Sequence, residues 1–206
     1  MLKLFHSPGS CSNGILYLLN ELGVDFELVP LIVSEGQQNT PEYVALNPKR
    51  KVPALVLPDG QVLTEYPVIA QYLARTNPQA GLWPDDMMAQ LRLAEVLDYM
   101  IATVHMRAFT FVLVPQRFAP TPDMQKVISD YGHAEVAKGL DVLSGILGDR
   151  DYIMGDFSIA DSALFFLLNW AEGRKIAMPD NLAACYARLK ARPAYARTEP
   201  DLVRHR

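Results

Sequence analysis

The chain has 206 residues, half of them hydrophobic and a fifth charged, which suits a globular protein with one large domain or two small ones. A formal net charge of −4 argues against nucleic acid or an anionic membrane as the main partner. No run of roughly 18 apolar residues predicts a transmembrane helix, residues 1–6 are too short for a signal h-region, and two cysteines, Cys11 and Cys185, form no disulfide framework and fit a reducing cytosol.

The first 76 residues alternate in pattern. Leu2 to His6 reads as a strand, broken by Ser7-Pro8-Gly9-Ser10. Ile15, Leu18, Leu19 and Leu22 follow at helical spacing, and Gly23 is placed as a C-cap. Phe26 to Leu31 reads as a second strand. Thr40 and Pro41 have the form of an N-cap and an N1 proline, opening a short helix that ends before Asn47-Pro48. The apolar run 54–57 predicts a buried strand. Asp59-Gly60 predicts a two-residue hairpin turn into a strand over 61–63. Pro67 then opens a helix carrying Val68, Ile69, Tyr72 and Leu73. The predicted order is β-α-β-α-β-β-α.

A linker containing Pro and Gly covers 76–84, and the remainder reads as helical. Met87, Leu91, Ala94, Leu97, Ile101, Val104, Ala108 and Phe111 recur at steps of three and four, predicting one long amphipathic helix stopped by Pro115. Thr121-Pro122-Asp123 opens another, reaching about Leu147. Ser158 and Asp161 have the spacing of a capping box before an apolar, buried helix. The expected domains are therefore an α/β unit over 1–78 and an all-helical unit over 86–206.

Four places could carry chemistry. Cys11 stands between a strand and a helix, where free N–H groups and the helix dipole favour an anion, so a lowered pKa and thiolate character are expected. No resolving cysteine is nearby, which disfavours dithiol chemistry. Val52-Pro53 begins a strand and is a candidate cis proline whose backbone could pair with an extended peptide; an ordinary trans proline fits the same position. Glu65 and Tyr66 precede a helix, where a carboxylate could meet N–H groups while Glu65 holds an ammonium. Asp98 and His105 lie seven apart on the long helix, and His105 could support a thiolate. No set of residues has metal-ligand spacing, and neither a Gly-rich phosphate loop nor a Gly-x-Ser-x-Gly elbow is present.

In this order and spacing, these motifs resemble the cytosolic glutathione transferases, and most of all the bacterial beta class. The likeness rests on Lys3-Leu4-Phe5, Pro8-Gly9-Ser10-Cys11-Ser12, Asn47-Pro48-Lys49, Val52-Pro53-Ala54-Leu55, Leu63-Thr64-Glu65, the stretch from Asp98 to His105, and Ser158-Ile159-Ala160-Asp161. It implies a thioredoxin-like lobe followed by an all-helical lobe, with glutathione bound between them as co-substrate and no metal. It further implies a cytoplasmic homodimer active in detoxification, without nucleic-acid or membrane partners.

By the resemblance, Cys11 and His105 are the catalytic candidates, and Ser10, Cys11, Val52, Pro53, Glu65, Tyr66, Asp98 and His105 the glutathione-binding ones. Val52 would pair with the cysteinyl backbone, Glu65 with the γ-glutamyl amine, and Asp98 would reach the partner subunit's ligand. Met106, Phe109 and Phe111 are candidate walls for a small hydrophobic electrophile. Some positions depart from the class pattern. His6 stands in place of Tyr, the segment 33–37 lacks a Lys, Tyr66 replaces a small residue, and Ser162 replaces an apolar one. The expected activity is conjugation of glutathione, with thiol-transferase or peroxidase chemistry through Cys11 as a variant. A non-enzymatic ligand-binding or regulatory protein of the same fold is the alternative.

Overall fold

A computed structural model describes residues 1–203, which form two compact units. The first comprises residues 1–84 and the tail from 190; the second comprises 85–189.

In the first unit, β1 (Leu2–His6), β2 (Phe26–Pro30), β3 (Ala54–Val56) and β4 (Val62–Thr64) make one sheet in the order β2-β1-β3-β4. β1 runs parallel to β2 and antiparallel to β3, which forms a hairpin with β4. Strand alternation sends Leu4 and His6 into the interior, with His6 opposite Pro30. The hairpin closes where Leu57 N–H meets the Gln61 carbonyl at 2.8 Å, around the three residues 58–60 rather than the two expected, with Gly60 at φ 87 supplying a conformation that costs other residues strain. Three helices accompany the sheet: α1 (Ser12–Leu22), α2 (Pro41–Leu46) and α3 (Tyr66–Thr76). α1 ends on Gly23 at φ 64, and Thr40 caps α2 through the Tyr43 N–H, as their sequences predict. This is the thioredoxin-like β-α-β-α-β-β-α arrangement.

The loop into β3 is held from below. Asn47, almost fully buried, donates from Nδ2 to the Lys51 carbonyl at 2.9 Å and accepts the Lys49 N–H at 3.1 Å. The Tyr43 hydroxyl donates to the same Lys51 carbonyl at 2.6 Å. The Val52–Pro53 peptide bond is cis.

The second unit is helical. α4 (Met87–Asp98) continues into a π-helical stretch, Tyr99–Phe109, and then α5 (Thr110–Leu113). The expectation of one amphipathic stripe holds only in part. Leu97, Val104 and Ala108 are buried, but Met87 and Leu91 are 68% and 53% exposed. Ten residues separate Met87 from Leu97, about 80° short of whole turns at 100° per residue, so the two do not share a face. Within the π-helical stretch the buried positions step by four, through Met100, Val104 and Ala108, and continue to Val112. The span Met87–Leu113 contains an 18-residue window of mean hydropathy 1.3, and it packs against the two helices that follow.

Those helices are α6 (Pro122–Leu147) and α7 (Ile159–Gly173); α8 (Asp180–Lys190) comes after them. α6 approaches closely because Gly132 lies against α5. A Cβ there would stand 2.9 Å from Phe111 Cβ and 3.1 Å from Val112 N. α7 is buried on all sides from 159 to 168, as an all-round apolar helix must be. Its start carries the full capping box: Asp161 accepts the Ser158 N–H at 2.8 Å, and Ser158 Oγ accepts the Ala160 N–H at 3.3 Å.

The tail returns to the first unit. α9 (Pro193–Thr198) packs on α1, and Arg192 pairs with Glu21. Nothing in the local sequence marks this return.

Candidate active site

The loop between β1 and α1 places Cys11. Gly9 takes φ 78, turning the chain so that Cys11 enters helical geometry at φ −60, ψ −18. Cys11 is partly exposed as a residue, while its Sγ is turned inward and donates to the Val52 carbonyl across 3.6 Å. Cys11 and the strand-start peptide, far apart in sequence, are thus neighbours.

The surroundings of Cys11 oppose the expected thiolate character. Desolvation pushes the Cys11 thiol up to about 12. Backbone N–H groups at residues 11 and 12 and the charge of Lys51 act in the direction the helix dipole predicts, while Glu65 opposes them. Burial wins because a thiolate here would lose more hydration than these groups return. The rate of Cys11 alkylation by iodoacetamide, followed by peptide mass mapping, should therefore be low at pH 7 and climb steadily through pH 10. A plateau below pH 9 would show an acidic thiol and contradict the burial argument.

Beneath Cys11 lies a buried polar network that sequence motifs did not expose. Ser12 Oγ lies 2.8 Å from His6 Nδ1 and 2.7 Å from Ser10 Oγ, and accepts the Ser7 N–H at 3.1 Å. His6 Nε2 lies 3.0 Å from the Asp201 carbonyl oxygen. The tail is bound to the same loop by Gly9 N–H and Asn13 Nδ2, which both donate to the Leu202 carbonyl. Burial lowers the His6 pKa, with hydrogen bonding and the Asp201 charge acting against it. The sequence signal for this network was His6 itself, standing where the related class has Tyr. Its partner in the tail, the Asp201 carbonyl, is 195 residues away, beyond any local pattern.

At the start of α3, Glu65 takes φ 70. Its exposed carboxylate pairs with Lys49 Nζ at 2.8 Å, and the same ammonium donates to Thr64 Oγ1 at 2.9 Å. Such an exposed pair contributes at most about 1 kcal/mol to stability. Lys49 stands in the Asn-Pro-Lys motif, and nothing in that motif marks it as a partner for Glu65. Tyr66 is buried, so what it offers outward is backbone at a helix start.

Ser10, Cys11, Val52, Pro53, Glu65 and Tyr66 all belong to the first unit, and Asp98, His105, Met106, Phe109 and Phe111 to the second. Asp98 is exposed at the end of α4. His105 is half-buried, edge-on to Trp170 at 4.9 Å and Phe166 at 5.6 Å. Met106 is 41% exposed. Phe109 is fully enclosed against Trp170, in the core rather than on a wall. Phe111 lines a cavity of about 360 Å³ with Thr103, Arg107, Ala108, Tyr131 and Glu135. Among the described residues no three His, Cys, Asp or Glu side chains cluster as a metal site would need.

The geometry defines a thioredoxin-like unit with a cysteine at a helix start, and comparisons with known proteins agree with it. Residues 9–76 match the glutathione S-transferase N-terminal domain, and residues 101–193 the C-terminal domain. The chain belongs to the glutathione S-transferase family. It is 36% identical over 197 residues to glutathione S-transferase GstA of Escherichia coli, covering 93% of this chain and 94% of that one. Two solved structures are close in fold. A glutathione transferase homologue from Sulfitobacter, with bound glutathione, has a TM-score of 0.87 at 29% identity, covering 97% of each chain. The bacterial beta-class enzyme of Sphingomonas chungbukensis has a TM-score of 0.82 at 30% identity, covering 98% of this chain and 100% of that one.

Proposed function

We propose that this protein conjugates glutathione to small hydrophobic electrophiles, and that the first unit holds the tripeptide. The observation that carries the reading is the Lys49–Glu65 pair: Glu65 already holds an ammonium, on an exposed carboxylate at a helix start. The γ-glutamyl ammonium would take the place of Lys49, and its carboxylate would meet the N–H groups of Glu65 and Tyr66. The cysteinyl backbone would pair with Val52 beside Pro53, setting the sulfur near Ser10 and Cys11. Lys51, whose charge reaches the Cys11 thiol, supplies the cation for the glycyl carboxylate that segment 33–37 lacks.

The bound thiolate then attacks the electrophilic carbon, a C–S bond forms, and the leaving group departs. Met106, Phe111 and His105 remain the second unit's candidates for the electrophile and the sulfur; of these Met106 is the most accessible. Exposed Met87, Met88 and Leu91 on α4, with Met124, Val127 and Tyr131 on α6, support a homodimer in which Asp98 serves the partner's ligand. Two free cysteines support a cytosolic setting.

The raised Cys11 pKa favours conjugation over chemistry through Cys11 itself. Mass spectrometry after incubation with oxidised glutathione at pH 7 should find Cys11 unmodified, while glutathione titrates the protein at millimolar concentration or below. A mixed disulfide at Cys11 would move the assignment to thiol transfer. Binding without turnover of any electrophile would leave a carrier, the reading that full-length likeness to transferases disfavours.

A further inference from the structure

We propose that Ser10, Ser12 and His6 form a one-way proton relay that takes the proton of a thiol bound beside Cys11 and stores it on the buried imidazole. The relay rests on the reading of a thiol peptide at this site, and it assigns roles to His6 and Ser12 that the binding groups alone do not require.

The polarity follows from the partners. A carbonyl oxygen can only accept, so His6 Nε2, 3.0 Å from the Asp201 carbonyl, carries the ring proton. Nδ1 of the neutral ring then has only a lone pair, and Ser12 donates its single hydroxyl proton to it at 2.8 Å in preference to the more distant Ser7 carbonyl at 3.3 Å. Ser12 Oγ also accepts the Ser7 N–H at 3.1 Å, so the 2.7 Å contact with Ser10 is a donation from Ser10. Ser10 Oγ in turn accepts the Ser12 N–H at 3.2 Å. Its remaining lone pair is all it can offer outward. Every hydroxyl proton points inward, toward His6. His6 and Ser12 are enclosed, at 1% and 0% exposure, while Ser10 is half-buried at the mouth.

A hydroxyl that can only accept invites the proton of an S–H donor. As the S–H bond breaks, Ser10 Oγ gains that proton and passes its own to Ser12 Oγ; Ser12 passes its own to Nδ1. The products are a thiolate and an imidazolium, and the electron pair of the broken S–H bond stays on sulfur. Nε2–H never moves, because the tail's Asp201 carbonyl holds it. The charged group facing the ring is the Asp201 carboxylate, which favours the imidazolium. The other groups around it, Ser7 and Ser12 from the loop and α1 and Pro30 from β2, are uncharged. Burial keeps the ring neutral at rest, which leaves the acceptor free.

The test compares wild type, Ser12→Ala, Ser10→Ala and Ser10→Thr in conjugation of 1-chloro-2,4-dinitrobenzene, together with binding of S-methylglutathione, which has no thiol proton. Ser12→Ala should lower kcat on the order of 100-fold, the scale of lost acid–base assistance, with KM little changed. It should also remove the acid limb of the pH profile, where activity falls as His6 is protonated. Its affinity for S-methylglutathione should stay at the wild-type value, showing a folded site. Ser10→Ala should lose rate similarly, and Ser10→Thr, which keeps a hydroxyl, should recover it. A Ser12→Ala protein that binds S-methylglutathione and retains wild-type kcat and pH profile would overturn the relay alone. Failure of the wild type to bind S-methylglutathione would overturn the glutathione reading, and the relay with it.

Discussion

Replacing Asp161 with alanine should destabilise the second unit by about 3 kcal/mol at pH 7, because two buried backbone N–H groups would be left without acceptors. Asp161 Oδ1 accepts the Ile153 N–H at 2.9 Å; Oδ2 accepts the Ser158 N–H at 2.8 Å and the Ser158 hydroxyl at 2.9 Å. Asn at this position should rescue only in part, for its amide nitrogen would face a donor on one side.

The same carboxyl carries a pH signature. Desolvation outweighs its three donors and raises its pKa to about 6. In the unfolded chain the value is about 3.9, so between the two the native state keeps a proton that the unfolded state has lost. This contribution is complete below pH 4 and is lost as pH rises through 6, by about 3 kcal/mol in all. The gap between wild type and Asp161→Ala in urea unfolding should therefore be widest at pH 4 and narrow toward pH 7. A gap that widens with pH would mean the donors dominate instead.

Glu65→Gln should weaken glutathione binding about 30-fold, the loss of roughly 2 kcal/mol when a charge-assisted hydrogen bond becomes a neutral one. Thermal stability should hardly change, because the Lys49–Glu65 pair is exposed on both sides. The split matters: a structural role would lower the melting temperature, and a binding role would lower affinity alone. Calorimetric titration with a parallel melt distinguishes them. Unchanged affinity would remove Glu65 from the site.

Much of this was legible in the sequence because local chemistry dictates it. Gly23, Thr40 with Pro41, Asp59-Gly60 and the Ser158–Asp161 box each solve a backbone problem within a few residues, and each appears where its pattern placed it. The long helix was less legible, since steps of three and four accumulate a rotation that a list of apolar positions hides. Phe109 shows the same limit: its spacing suggested a wall, and packing against Trp170 encloses it.

At the candidate site the residue types were legible and their energetics were not. Cys11 stands at a helix start as expected, yet whether a thiol there ionises depends on how much water surrounds it. That is a tertiary property, and the Sγ contact with Val52 on another loop is part of it. His6, Ser12 and the Asp201 carbonyl come together only because the tail folds back on the first unit.

The most direct test of the glutathione site is a crystal structure of the protein with glutathione. The γ-glutamyl ammonium should lie within hydrogen-bond distance of the Glu65 carboxylate, with Lys49 displaced, the cysteinyl backbone paired to Val52, and the sulfur beside Ser10 and Cys11. A structure in which glutathione binds elsewhere, leaving the Lys49–Glu65 pair intact, would contradict the account.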